Sequence, residues 1–113
     1  MSSTVEPDGT QPRICAIADA LAVVGDRWSL LALRELFFDV TRFNDIQANT
    51  GAPRASLVAR LRDLEAAGLV ERRRYSEHPP RDDYVLTAAG RELAPVLGAL
   101  RVWGEAHAPR IES

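Results

Sequence analysis

The 113-residue chain contains no lysine: all 14 of its basic side chains are arginine. A guanidinium never loses its charge and offers a planar fork of donors, which suits bidentate contact with phosphates and guanine edges; codon bias explains the same usage more simply. The single cysteine, Cys15, excludes an intramolecular disulfide, so nothing requires an oxidising compartment. His78 and His107 stand apart, without cysteine or paired carboxylates at ligand spacing, and no metal or other cofactor is expected. No Ser-His-Asp arrangement, phosphate-cradling glycine loop or HExxH motif is present, so the chain is not expected to be an enzyme. No stretch approaches the roughly 20 apolar residues of a membrane span, because the longest greasy run, Trp28 to Phe38, is broken by Arg34 and Glu35. Met1 to Gln11 is polar and lacks a basic-then-apolar leader pattern; residues 1–12 read as a flexible tail and the cytoplasm as the compartment.

What remains is the material of one folded domain, 46% hydrophobic and 27% charged, well away from the composition of disordered chains. The net charge of −2 argues at first against a nucleic-acid partner. Its distribution argues the other way: from Arg54 to Arg91 arginines outnumber acids, while the rest of the chain is net acidic.

Periodicity places the elements. Ile14, Ile17, Leu21 and Val24 recur at helical steps, and Gly25 follows where a left-handed cap would end that helix. Asp26 is a natural N-cap for a second helix, Arg27 to about Phe38, apolar on nearly all sides and therefore central in the core. A turn at Asp39 to Thr41 leads to a short helix marked by Phe43, Ile46 and Thr50 and ended by Gly51. Pro53 fits the first position of a fourth helix with Leu57, Leu61 and Leu64 inward and Gly68 closing it. Two short helices joined by a tight glycine turn have the spacing of a helix-turn-helix. Leu69 to Tyr75 and Asp83 to Leu86 then form a hairpin around Ser76 to Pro80, and Thr87 caps a last helix, delayed or bent by Pro95, with Leu93, Val96, Leu97, Leu100 and Trp103 on one face. The fold class is mainly α with a small β hairpin, in the order helix, helix, helix, helix, hairpin wing, helix.

Gly25-Asp26-Arg27-Trp28-Ser29-Leu30-Leu31 through Leu36, Arg42-Phe43-Asn44-Asp45-Ile46, Leu57 to Arg72, and Pro79 to Thr87 with Gly90-Arg91 together resemble the HxlR-type regulators in sequence and order, over about Cys15 to Trp103. That resemblance implies a winged helix-turn-helix domain over residues 13–108, with residues 109–113 as a second tail. It also implies a homodimer joined through its terminal helices, double-stranded DNA as partner, and control of transcription, repression foremost, from pseudo-palindromic operators. Pro53 departs from the serine that many relatives carry there. Some relatives sense oxidants or electrophiles through a cysteine near the position of Cys15, which makes this residue a candidate redox sensor; an inert structural cysteine is the plainer reading.

The candidate contacts divide by task. The outer side of the fourth helix and its entry, Pro53, Arg54, Ala55, Ser56, Val58, Ala59, Arg60 and Arg62, would face the DNA, with Arg54 best placed for a guanine; Arg60 and Arg62 could equally pair with Asp63 and Glu65. Arg42 is a further candidate DNA contact, and Arg72, Arg73, Arg74 and Arg81 would meet the backbone or the adjacent minor groove, although on a strand Arg72 to Arg74 alternate faces and cannot all do so; a solvated strand edge blunted by charge is the plainer alternative. Ile14, Ile17, Leu21, Leu97, Leu100 and Trp103 would form the dimer seam. Trp28 and Trp103 otherwise read as core, the rival to a small-molecule effector pocket beneath the last helix. A winged-helix module that binds a protein is the competing function.

Overall fold

A computed structural model describes residues 13–110; the expected tail over 1–12 and residues 111–113 lie outside the described residues. The element order is α1 (Ala16–Val24), α2 (Arg27–Phe37), α3 (Phe43–Thr50), α4 (Arg54–Ala66), β1 (Val70–Glu77), β2 (Pro80–Leu86), α5 (Ala88–Arg91) and α6 (Ala94–His107). It is the winged helix-turn-helix order read from the sequence, mostly helical with one antiparallel two-stranded hairpin.

Helix α2 is the hub, packing against α3, α4, β2 and α6. Its start follows from one side chain: an Asp26 carboxylate oxygen accepts from the Trp28 and Ser29 N–H groups at 2.8 and 3.2 Å, satisfying two donors that have no partner within the helix. Leu33 and Leu36 of α2, Ile46 of α3, Leu57, Leu61 and Leu64 of α4, and Val70 and Leu86 of the hairpin close one core. Burying each such aliphatic side chain contributes about 1.5–3 kcal/mol, offset in part by lost rotamer freedom.

Four local expectations are corrected. Helix α1 begins at Ala16, with Cys15 as its N-cap, so Ile14 precedes it. Gly25 is right-handed, at φ −74°; what requires glycine is crowding, because a Cβ there would lie 2.5 Å from the Leu21 carbonyl oxygen. Pro53 is the N-cap of α4, with ψ 142°, and its carbonyl accepts the first helical hydrogen bond from Leu57 N–H at 3.0 Å. The last helix is split: Thr87 caps only the four-residue α5, and α6 starts afresh at Ala94 because Pro95, in its first turn, has no N–H to bond back to the preceding turn.

Helix α6 buries none of its 14 residues. Trp103, read both as a seam residue and as core, is 61% exposed, which leaves it out of the core, and its ring meets that of His107 at a tilt of 41° with centroids 5.2 Å apart. Ile14, Ile17 and Leu21 are exposed as well, at 91%, 73% and 58%. Trp28, by contrast, is half-buried against the core.

Candidate nucleic-acid interface

The turn between α3 and α4 is built from short-range bonds. Gly51 is left-handed at φ 74°, a conformation that disfavours side chains with a Cβ, and buried Ala52 plugs the corner. The Thr50 hydroxyl donates to the Ile46 carbonyl at 2.8 Å and accepts from Ala52 N–H at 3.2 Å, while Gln47 Nε2 donates to the Ala52 carbonyl at 3.3 Å. A second anchor had no signal in the hydrophobic pattern. Glu35 of α2 is 3% exposed; its carboxylate accepts from Asn49 Nδ2 at 2.9 Å and from Arg34 Nε at 2.7 Å, and Arg34 Nη2 reaches the Asn49 carbonyl at 3.2 Å. A buried carboxylate needs such partners, and here they tie α2 to the end of α3.

Buried Leu57, Leu61 and Leu64 set the orientation of α4. Helical geometry then turns Ala55, Ala59 and Arg62 to the opposite side, with Arg54 and Val58 on the flank toward the hairpin. Arg54 stacks its guanidinium on Phe43 at 4.7 Å, and among the described residues neither Arg54 nor Arg62 has an acidic partner. Ser56 and Arg60 lie on the other flank, beside Asp26 and Trp28 of α2, where Arg60 pairs with Asp63 at 2.9 Å. Pro53 is exposed at the helix entry.

The wing docks through its base. Tyr84 N–H donates to the Thr41 carbonyl at 2.8 Å, and Arg42, the N-cap residue of α3, reaches Asp83 at 3.3 Å while stacking on Tyr75 at 4.1 Å. Tyr75 sits at a register shift between Arg74 and Ser76, an extra residue without a cross-strand partner. The arginine run is not free charge. Arg72 pairs with Glu65 at 3.2 Å and approaches Asp82 at 3.9 Å; Arg73 lies 3.5 Å from Glu71; Arg74 is 2.8 Å from Asp82 and 3.5 Å from Glu77. Glu65 holds the Arg72 guanidinium above its ordinary pKa, and the hydrogen bond from Arg74 to Asp82 does the same for Arg74. Arg81, across the sheet from Ser76, has no acidic partner among the described residues. A concavity of about 620 Å³ between α3, α4 and the wing gathers Arg42, Arg54, Val58 and Arg81 at one place.

The remaining candidates lie elsewhere. Cys15 is exposed, and its sulfur accepts from Ala18 N–H at 3.4 Å. The groove beneath the last helix exists between α2 and α6, but neither tryptophan lines it. No described helix is long and apolar enough to cross a membrane, and the described residues contain no cluster of three metal-ligating side chains.

A family model described as HxlR-like helix-turn-helix matches residues 23–112. The chain is 46% identical over 97 residues to an uncharacterized HTH-type transcriptional regulator, Rv3095, of Mycobacterium tuberculosis, covering 86% of this chain but only 61% of that relative. It is 42% identical over 92 residues to the HTH-type transcriptional regulator sll1512 of Synechocystis, covering 80% of this chain and 68% of the relative. Among solved structures, the redox regulator HypR in its oxidized form superposes with a TM-score of 0.76 at 32% identity, over 85% of this chain and 100% of that one. The reduced form gives 0.74, also at 32% identity, over 81% and 92%.

Proposed function

The chain belongs to the HxlR-like helix-turn-helix family, and from that premise we propose that it is a sequence-specific DNA-binding transcriptional regulator. It acts as a homodimer on pseudo-palindromic operators, in the cytoplasm, and represses by occupying them. One observation carries this reading: on the outer side of α4, beside the wing, Arg54 and Arg62 are exposed and have no acidic partner among the described residues. In a major groove Arg54 or Arg62 would take the N7 and O6 acceptors of a guanine, and Ala55, Val58 and Ala59 would meet thymine methyl groups. Pro53 and Ser56 would sit at the phosphate edge with Arg42, and Arg81 would reach the backbone beyond the wing. Arg60 and Arg72 to Arg74, already paired with acids, would contribute less.

The exposed apolar residues Ile14, Ile17 and Leu21 near α1 and Leu100 and Trp103 on α6 would form the seam between copies, with Leu97 turned inward beside them. Two reading helices would then enter grooves about 34–36 Å apart. The likeness to HypR, a redox regulator solved in oxidized and reduced forms, supports a redox response, and Cys15, the one thiol of the chain, is the residue to carry it. With one thiol per chain, any disulfide at Cys15 must join two copies or a small thiol.

The test is selection of genomic fragments by the purified protein, followed by binding titrations with reduced and oxidised Cys15. Arg54→Ala should relax base preference at one position of each half-site, costing about 1–3 kcal/mol there, whereas Arg81→Ala should weaken all sequences alike. Ile17→Asp with Trp103→Arg should give a monomer with weakened operator binding. A stable dimer that selects no sequence at any salt concentration would favour the protein-binding module instead.

A further inference from the structure

Between α2 and α6 runs a groove of about 690 Å³, within the size range of small-molecule sites. Leu30, Leu31, Phe37 and Leu97 make its walls, and among the described residues the only polar side chains that line it are Arg27, Arg34 and Arg101. Every polar side-chain atom at the groove is therefore a hydrogen-bond donor. An apolar ligand seated there must present an acceptor, and a negative one complements three guanidinium groups. We propose that the groove binds an amphipathic monoanion, an apolar body bearing one carboxylate or sulfonate, and that Arg34 couples its occupancy to the helix-turn-helix.

Arg34 is the one residue common to both places. Its Nε and Nη2 hold Glu35 and the Asn49 carbonyl at the end of α3, while its Nη1 has no partner among the described residues and its side chain is 38% exposed. An anion drawn to that guanidinium competes with Glu35 for it, and Glu35 is bonded to Asn49, two residues before the turn at Gly51. Arg27 at the rim is stacked on Trp28 at 4.5 Å, and Arg101 has only the exposed Glu105 at 3.3 Å, so both can turn to a ligand at little cost. The seam proposed on α6 shares Leu97 and Leu100 with the groove lining, so the second copy is the rival occupant. The coupling would regulate DNA binding only if that reading holds; binding itself does not depend on it.

The experiment titrates the full chain with 8-anilinonaphthalene-1-sulfonate and with N-phenyl-1-naphthylamine, the same body without the anion, reading fluorescence and the amide resonances of Asn49 and Gly51. The sulfonate should bind roughly tenfold tighter, the factor of about one charge-assisted hydrogen bond. Gly98 lines the groove and open space surrounds the position of its missing Cβ, so Gly98→Trp should fill the site and abolish binding without changing thermal stability appreciably. Saturating sulfonate should shift the Asn49 side-chain and Gly51 backbone amides. Equal affinity for the two probes, undiminished binding to Gly98→Trp, or binding only after dilution to monomers would overturn the site. Unmoved Asn49 and Gly51 resonances at saturation would overturn the coupling. If both hold in a chain that binds no DNA, only the functional reading falls.

Discussion

Asp82→Asn is the sharpest probe of how the wing carries charge. The Asp82 carboxylate lies 2.8 Å from Arg74 and 3.9 Å from Arg72, and both guanidinium groups retain a second acid, Glu77 for Arg74 and Glu65 for Arg72. Removing the Asp82 charge adds one net positive charge to the hairpin: Arg74 loses the nearer of its two acids and Arg72 only the farther, so Arg74 is the guanidinium chiefly released and Arg72 the second at most. Each additional phosphate contact steepens the dependence of log K on log salt by about 0.9. Across a fourfold change, roughly 200 to 50 mM salt, one freed arginine makes the ratio of variant to wild-type affinity grow about 3.5-fold, and two make it grow about 12-fold. Anisotropy titrations of one operator duplex at four salt concentrations measure that slope directly. An unchanged slope for Asp82→Asn refutes the reasoning. So does a drop of about 0.9 for Arg74→Gln, since it would mean that Arg74 already contacts phosphate in the wild-type protein despite Asp82.

Two stability predictions test the scaffold. A Cβ on Gly90 would lie 2.2 Å from the Leu69 carbonyl oxygen, so Gly90→Ala must push α5 off the α4–β1 corner; we expect a loss of about 1–3 kcal/mol in denaturant unfolding. Asp26→Ala removes the acceptor for two helix N–H groups and should cost about 0.5–2 kcal/mol, with no change in the cooperativity of the transition.

Features set by near neighbours in the chain were legible. The Asp26 and Thr87 caps, the Leu57, Leu61 and Leu64 stripe and the glycine turn at Gly51 all depend on residues within four positions, so spacing alone declares them. The hairpin was legible in outline, although β1 runs to Glu77 and β2 starts at Pro80, well beyond the expected ends, because cross-strand pairing overrides the turn-forming character of Ser76 to Pro80.

Whether a charge is free or paired is decided at longer range. The arginine run at Arg72 to Arg74 looks like a positive patch in one dimension, but Glu65 arrives from the preceding helix and Asp82 from the facing strand. Nothing in the apolar pattern marks Glu35 as a buried anchor; α3 makes it one by supplying Asn49. Trp103 reads as core until α6 is seen to leave its whole length unburied. Residue order alone was enough to tell which segments coil, where α2 starts and which side of α4 turns inward, because those follow from local torsions, caps and apolar period. The tertiary structure alone decided which guanidinium groups remain available and which apolar faces lack a partner, because ion pairing and burial depend on distances between segments that the order of residues does not specify.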